Sequence, residues 1–306
     1  MEIYLPIAEM SVHWLILIGM GGAVGFLSGM FGVGGGFLLT PLLIFYGIPP
    51  GVAVATTASH VTASSVSGAL TYLSNGAIDL KLATVMTVSG IVGTGAGVWL
   101  FGVLSAAGQI ELIISASYVI LLGTIGALML RESMETLAAA RAGQRAPSAR
   151  AQHHSWMHGL PFKMRFRDSR LYISVIPPVA IGFSVGVLSS VMGVGGGFVL
   201  VPAMIYLLRV PAKIVMGTSL LQIVFVTASS TILHAVSDFT VDMMLAVILI
   251  AGGVIGAQYG VRMAARLRGE QLRFLLALLV LAVAVRLLYG LLVTPTDPFS
   301  VTVNGL

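Results

Sequence analysis

Gly32-Val33-Gly34-Gly35-Gly36-Phe37 and Gly193-Val194-Gly195-Gly196-Gly197-Phe198 are the same six residues, each set inside an apolar stretch. Around them, Leu27–Pro41 and Leu188–Pro202 agree at ten of fifteen positions with no gap. A spacing of 161 residues in a chain of 306 reads as two copies of one unit. Four glycines in six residues interrupt any helix that enters them, because glycine costs helix stability and opens backbone conformations that other residues avoid.

Composition says what surrounds these breaks. The chain is 57% hydrophobic and 9% charged, with a mean hydropathy of +1.01. Soluble domains carry roughly 25% charged residues, so a water-facing surface of normal extent is excluded. Apolar runs near twenty residues recur along the chain, the mark of an all-α integral membrane protein. A transmembrane barrel would alternate with period two and is excluded. The chain has no Cys, which removes disulfides, thiol chemistry and thiolate metal sites. A pI near 9.7 would suggest nucleic acid in a soluble protein; here the basic residues report topology, and no nucleic-acid partner is expected. The first segment has Glu2 and Glu9 before it and no Lys or Arg, so it reads as a retained membrane helix rather than a signal peptide.

Apolar runs and turn signals predict ten segments. The first half holds Ser11–Phe31, Phe37–Ile48, Gly51–Ser74, Leu80–Val103 and Gln109–Leu130; the second holds Leu171–Met192, Phe198–Leu208, Ala212–Ala235, Val241–Val261 and Glu270–Val293. The second segment of each half spans roughly 18 Å as a helix, too short for a hydrocarbon core of roughly 30 Å. Each therefore reads as a half-helix entered from a glycine break at membrane depth. Of sixteen Lys and Arg, eight lie from Arg131 to Arg170 and four at Arg262, Arg266, Arg268 and Arg273. The positive-inside rule puts both stretches in the cytoplasm and both termini outside the plasma (inner) membrane. Each half then crosses an odd number of times, so the repeats are inverted, an architecture of many secondary transporters. The expected division is a first repeat at 1–131, a basic cytoplasmic linker at 132–170 that also touches membrane lipid, and a second repeat at 171–306. His153, His154 and His158 in the linker lack a Cys or carboxylate at fixed spacing and are not read as a metal site.

Broken backbone within a membrane is tolerated only in a protein interior or a wet cavity. A half-helix that starts at Phe37 or Phe198 presents free N–H groups and its positive dipole end to the break, a ready anion site. Two such ends from inverted repeats would converge on one cavity. Gly21, Gly22, Gly25 and the pairs Gly93/Gly97 and Gly256/Gly260 read instead as helix-packing positions. A nucleotide-binding reading fails, since no Lys-Ser/Thr, no G-x-G-x-x-G spacing and no βαβ unit accompanies the loops.

The third segment of each half is unusually polar. Thr56-Thr57-Ala58-Ser59-His60 answers Thr218-Ser219-Leu220-Leu221-Gln222, and both His60 and Gln222 fall about ten residues in, near half depth. His60 is the deepest ionisable group, and such a group inside a membrane is a functional hypothesis by default. No Asp or Glu lies deep in any segment; Asp79 and Asp242 correspond but stand at segment starts. The cavity thus offers donors without fixed negative charge, which suits an anion. The candidate substrate-binding set is Gly34, Gly35, Gly36, Thr57, Ser59, His60, Gly195, Gly196, Gly197, Thr218, Ser219 and Gln222. Arg286 in the last segment reads as snorkelling to the outer interface.

The doubled loops with their trailing Pro41 and Pro202, Pro211 followed by Gly217-Thr218-Ser219-Leu220, and the duplicated layout make the chain resemble the sulfite exporter TauE/SafE family. The likeness covers most of the chain except 132–170. In the first half Ala55-Thr56-Thr57-Ala58 stands where Gly-Thr-Ser-Leu would match the pattern. The resemblance implies a permease, mostly outward, for sulfite or organosulfonates such as sulfoacetate.

The expected function is a secondary transporter, an exporter of small sulfur-containing anions working by alternating access, without catalytic residues, cofactor or metal. A homodimer is compatible with the chain. A cation-coupled importer of another small organic solute is the alternative, and it would need acidic membrane residues that are missing here. An intramembrane enzyme would need a carboxylate pair, an activated nucleophile or a metal triad, and a receptor subunit would move no solute in liposomes. The threading makes a direct prediction: single cysteines placed after Arg141 and after Arg266 are labelled only from the cytoplasmic side, and cysteines at either end only from outside. Labelling of both ends from the same side as position 141 refutes the threading.

Overall fold

The computed structural model describes residues 2–31, 33–74, 76, 78–108, 110–141, 161–166, 168–169, 171–264 and 269–292. Gly32, the linker histidines, Arg266, Arg268 and the C-terminal stretch expected outside the membrane lie beyond the described residues. Two series of elements follow one another in the same order. The first is β1 (Glu2–Leu5), β2 (Met10–His13), α1 (Trp14–Phe31), α2 (Gly36–Phe45), α3 (Pro50–Ser74), α4 (Leu80–Ala106) and α5 (Ile110–Arg141). The second is β3 (Lys163–Phe166), β4 (Leu171–Ser174), α6 (Ile176–Met192), α7 (Gly197–Tyr206), α8 (Ala212–Ser237), α9 (Met243–Ala264) and α10 (Gly269–Leu292).

The all-α membrane architecture stands, with one addition. Each series opens on an antiparallel hairpin, pairing Glu2 with His13 and Leu5 with Met10, and Lys163 with Ser174 and Phe166 with Leu171. The expected segments Ser11–Phe31 and Leu171–Met192 therefore begin as strand. The reason is local alternation: Val12 is buried between exposed Ser11 and half-buried His13. Pro177-Pro178 then fits the first turn of α6, where a missing N–H costs nothing. Helix α5 runs past the expected segment end at Leu130 to Arg141, into the stretch read as linker.

Among the described residues, five helices are long and apolar enough to cross a membrane by length and composition: Trp14–Phe31, Leu80–Ala106, Leu112–Arg131, Ile214–Ser237 and Met243–Met263. Helix α3 has the length but carries too many hydroxyls, and it is buried along most of one side from Val52 to Ala69. Large apolar side chains such as Trp99, Val92, Ile120, Ile232 and Val247 face outward, a surface made for lipid. Helices α2 and α7 have ten residues each, about 15 Å, and remain half-helices.

Small residues set the helix pairs. Helix α1 runs parallel to α9, with Gly21 against Leu249, Gly25 against Gly253 and Gly29 against Ala257; a Cβ on Gly21 would stand 2.5 Å from the Leu249 carbonyl oxygen. Helix α4 runs parallel to α6 in the same manner, Gly93 meeting Phe183 and Gly97 meeting Val187. These are the packing positions expected from sequence; a Cβ on Gly22 would itself have 3.6 Å to the Gly252 oxygen, but one on Gly256 would strike the Gly22 carbonyl. The third pair differs in sense. Along α3 and α8, Thr62 bonds Thr227 (2.7 Å), Gly68 packs on Leu220, and Tyr72 Oη donates to Met216 Sδ (3.5 Å). As numbers rise on one helix they fall on the other, so these equivalent helices are antiparallel.

Because Gly25 meets backbone and Gly19 meets nothing within 4 Å, Gly25→Leu should cost about 3 kcal/mol or prevent folding. Gly19→Leu should change stability by less than about 0.5 kcal/mol. Thermal unfolding in detergent of the two variants checks this.

Candidate functional site

The two glycine loops meet at the centre of the bundle. Gly34 and Gly35 take φ +84° and +72°, and Gly195 and Gly196 both take +72°, a left-handed backbone in which side chains are strained. That turn reverses the chain within a few residues, so α2 and α7 start beside the ends of α1 and α6. The carbonyls of Gly35 and Gly196 accept the first helical bonds, from Leu38 (3.1 Å) and Leu39 (3.3 Å) and from Val199 (3.1 Å) and Leu200 (2.9 Å). Neither half-helix has a side-chain cap or an acidic residue in its first turn. The N–H groups of Gly36, Phe37, Gly197 and Phe198 thus have no intrahelical partner, and the positive dipole ends stay uncompensated.

Contact between the loops is backbone on backbone. A Cβ on Gly36 would lie 2.5 Å from the Gly193 oxygen and 2.7 Å from Val194, and one on Gly197 would strike the Val33 carbonyl. Phe37 and Phe198 stack above this crossing, centroids 4.8 Å apart at 18°. Residues 33–40 and 191–198 are all buried, so the junction is closed to both sides. Tyr118 Oη donates to the Met192 carbonyl (2.6 Å), which serves one of the last carbonyls of α6.

The polar residues of α3 and α8 divide into groups. Directly over the loops sit Val61 and Ile223, with Val61 Cγ1 3.2 Å and Ile223 Cγ2 3.3 Å from a Cβ built on Gly34. His60 and Gln222, one residue earlier on each helix, turn to the flanks. His60 Nε2 faces the Gly21 carbonyl (3.3 Å) and lies against Gly253, while Gln222 lies against Gly90 of α4. His60 and Gln222 thus pack against flanking helices at matching positions, while Val61 and Ile223 face the loops, because successive helical residues point about 100° apart. Thr57 Oγ1, His60 Nδ1 and both amide atoms of Gln222 are buried with no protein partner among the described residues. So are Ser28 and Ser189 Oγ, which match between the halves one turn before the loops and were missed in the sequence, although they lie inside the repeated stretch. Unpartnered buried polar atoms are costly, so these groups are candidates for bonding a polar guest.

The other expected residues sit elsewhere. Ser59 is half-buried and donates to the Thr56 carbonyl (2.6 Å), and Ser219 donates to the Met216 carbonyl (3.1 Å). Thr218 Oγ1 accepts the Asp79 N–H (3.1 Å), and Thr56 Oγ1 likewise accepts the Asp242 N–H (3.1 Å). Each aspartate caps its own helix, at Leu82 (3.1 Å) and Leu245 (3.0 Å), and with its second oxygen takes an N–H from the other half's hairpin, Ser169 (2.9 Å) or Ile7 (2.9 Å). Both are fully buried. Arg286 is exposed and lies 5.0 Å over the Phe45 ring, away from the loops. An open groove of about 690 Å³ between α4 and α6, lined by Val88, Val92, Val179 and Phe183, is apolar and far from this chemistry.

Residues 17–287 match the family model described as sulfite exporter TauE/SafE. A probable membrane transporter protein of Xylella fastidiosa (strain Temecula1) is 30% identical over 285 residues, covering 92% of this chain and 97% of its own. The probable membrane transporter protein YjnA of Bacillus subtilis is 28% identical over 282 residues, 91% of this chain and all of its own. An Arabidopsis thaliana sulfite exporter TauE/SafE family protein 6 is 42% identical over a shorter stretch of 64 residues, 21% of this chain and 15% of its own. No solved structure matches. The chain belongs to the TauE/SafE sulfite exporter family, and it is a multi-pass membrane transporter protein.

Asp79→Asn leaves one of two N–H donors facing an amide NH2 instead of an oxygen. We expect a loss of about 2 kcal/mol, and the same for Asp242→Asn, read by thermal unfolding in detergent. Unchanged stability in both would show that these caps do not hold the halves together.

Proposed function

We propose that the protein is a secondary transporter that exports a small sulfur-containing anion, sulfite or an organosulfonate such as sulfoacetate, across the plasma membrane by alternating access. The observation that carries this reading is the pair of uncapped half-helix N-termini meeting at left-handed glycines, with no acidic side chain in either first turn. A sulfonate keeps its charge at physiological pH, so taking it out of water requires several aimed donors. The loop N–H groups supply them, and Thr57, His60 and Gln222 orient the rest of the solute once the flanking helices move and these side chains turn toward the loops, whereas Ser219 keeps its bond to the Met216 carbonyl. Ser28 and Ser189 join that set. Thr218 and Ser59 serve the helix ends and the helix itself.

The antiparallel packing of α3 against α8, with α1 parallel to α9 and α4 parallel to α6, supports two inverted repeats, 1–131 and 171–306, the second gaining the β3 strand and Ser169 from the end of the linker 132–170, which we place in the cytoplasm. The closed junction corresponds to an occluded stage of the cycle, with an opening to each side following in turn. The soft points are the cross-half bonds of Asp79 and Asp242, one set at each end of the bundle.

Purified protein should gain thermal stability with sulfite or sulfoacetate, and less with sulfate, taurine or a carboxylate analogue. Gly35→Val and Gly196→Val, which force a side chain into a left-handed backbone, should abolish that response and transport in liposomes. Gly95→Val, open around its Cα, should retain both. Near-normal transport by both loop variants would sink the assignment.

A further inference from the structure

Near the end of α8, one turn before it stops, His234 is fully buried with both ring nitrogens engaged. Nε2 lies 2.9 Å from the Ser190 carbonyl oxygen and Nδ1 lies 2.8 Å from Asp238 Oδ2. Phe101 of α4 closes the site edge-on, centroids 4.8 Å apart. Ser190 is three residues before Gly193, where α6 ends, so its carbonyl is one of the last four of that helix and has no intrahelical donor. A carbonyl oxygen only accepts. Nε2 must therefore carry hydrogen, and Nδ1 faces a carboxylate with one hydrogen between them. The Nε2–Ser190 contact and the Nδ1–Asp238 contact therefore hold one hydrogen each, beside the carbonyl end of α6, the negative end of that helix's dipole.

We propose that His234 and Asp238 form a proton-binding site, and that the proton shared between Nδ1 and Asp238 fixes the ring so that its Nε2–H anchors α8 to the last turn of α6, directly before the second glycine loop. Loss of that proton sets a ring lone pair against carboxylate lone pairs at 2.8 Å; the ring then turns, and its Nε2–H no longer aims at Ser190. The side chain of Asp238 is 17% exposed, a path for the proton to water. Elements packed on α8 bring no other charge to the pair among the described residues. Helix α6 has no titratable side chain, Tyr206 of α7 and Lys81 of α4 stand toward the other end, and on α3 His60 faces Gly21 while Tyr72 bonds Met216. The matching position in the first half is that Tyr72, which carries no such proton near neutral pH. The site is thus present on one side only, as a one-sided coupling to pH requires. This last consequence rests on the transporter reading; the proton site does not.

The test is 15N NMR of histidine-labelled full-length protein in lipid nanodiscs, titrated from about pH 5 to about pH 10, a window that brackets imidazole chemistry, with His234 assigned from its loss in His234→Gln. Both His234 nitrogens should show protonated-type shifts near neutral pH, the Nδ1 proton should leave on alkaline titration, and Asp238→Asn should leave Nε2 alone protonated at neutral pH. If Asp238→Asn does not fold, the alkaline step of the native protein decides alone. A His234 with one proton throughout overturns the proposal. Sulfoacetate counterflow in liposomes separates the two readings. A doubly protonated His234 without counterflow removes the transport reading and leaves the proton site, whereas counterflow with a singly protonated His234 does the reverse.

Discussion

The backbone contact between the two glycine loops is the constraint on which the rest of the molecule depends. Gly36 lies against Gly193 and Val194, and Gly197 lies against Val33, at distances that a Cβ would violate. Only because these positions lack side chains do α2 and α7 begin beside each other. Their beginning there leaves N–H groups and two dipole ends at one buried point, without a carboxylate to neutralise them. The Phe37–Phe198 stack and the Val61–Ile223 pair then seal that point from α3 and α8.

The halves do not close on themselves. Asp79 of the first half holds Ser169 and Thr218 of the second, and Asp242 of the second holds Ile7 and Thr56 of the first. Each hairpin turn therefore docks on the opposite half, each carboxylate satisfying its own helix cap and its neighbour's turn at once. A buried charge is tolerated only when bonded in this way. The α1–α9 and α4–α6 seams also join one half to the other, by glycine contacts rather than side-chain interdigitation. Interfaces of small residues let parallel helices slide or tilt with little repacking, which suits the alternating access proposed above.

How much of this was legible in the sequence follows from which interactions are local. The doubled Gly-Val-Gly-Gly-Gly-Phe placed the breaks, the half-helices and their pairing, since backbone freedom belongs to the residue itself. The packing glycines were readable for the same reason. The hairpins were not, because a four-residue strand such as Met10–His13 joined to an apolar helix looks like the helix's first turn. Nor was the aim of His60 and Gln222: sequence placed their depth, but the facing direction depends on how α3 is rotated against α1 and α9. His234 and Asp238 carry an i, i+4 spacing that could have been seen; with the segment ended at Ala235, the aspartate fell into a loop and the pair was split.

The central claim is that a sulfonate-type anion is held by the loop N–H groups. The most direct measurement is a crystal structure with 2-bromoethanesulfonate, whose bromine locates the ligand by anomalous scattering. The account predicts one ordered ligand with sulfonate oxygens bonded to the N–H groups of Gly36 and Phe37 or of Gly197 and Phe198, and the flanking His60 or Gln222 turned to it. An ordered ligand that avoids both loops, with Gly34–Phe37 and Gly195–Phe198 unchanged, would contradict it.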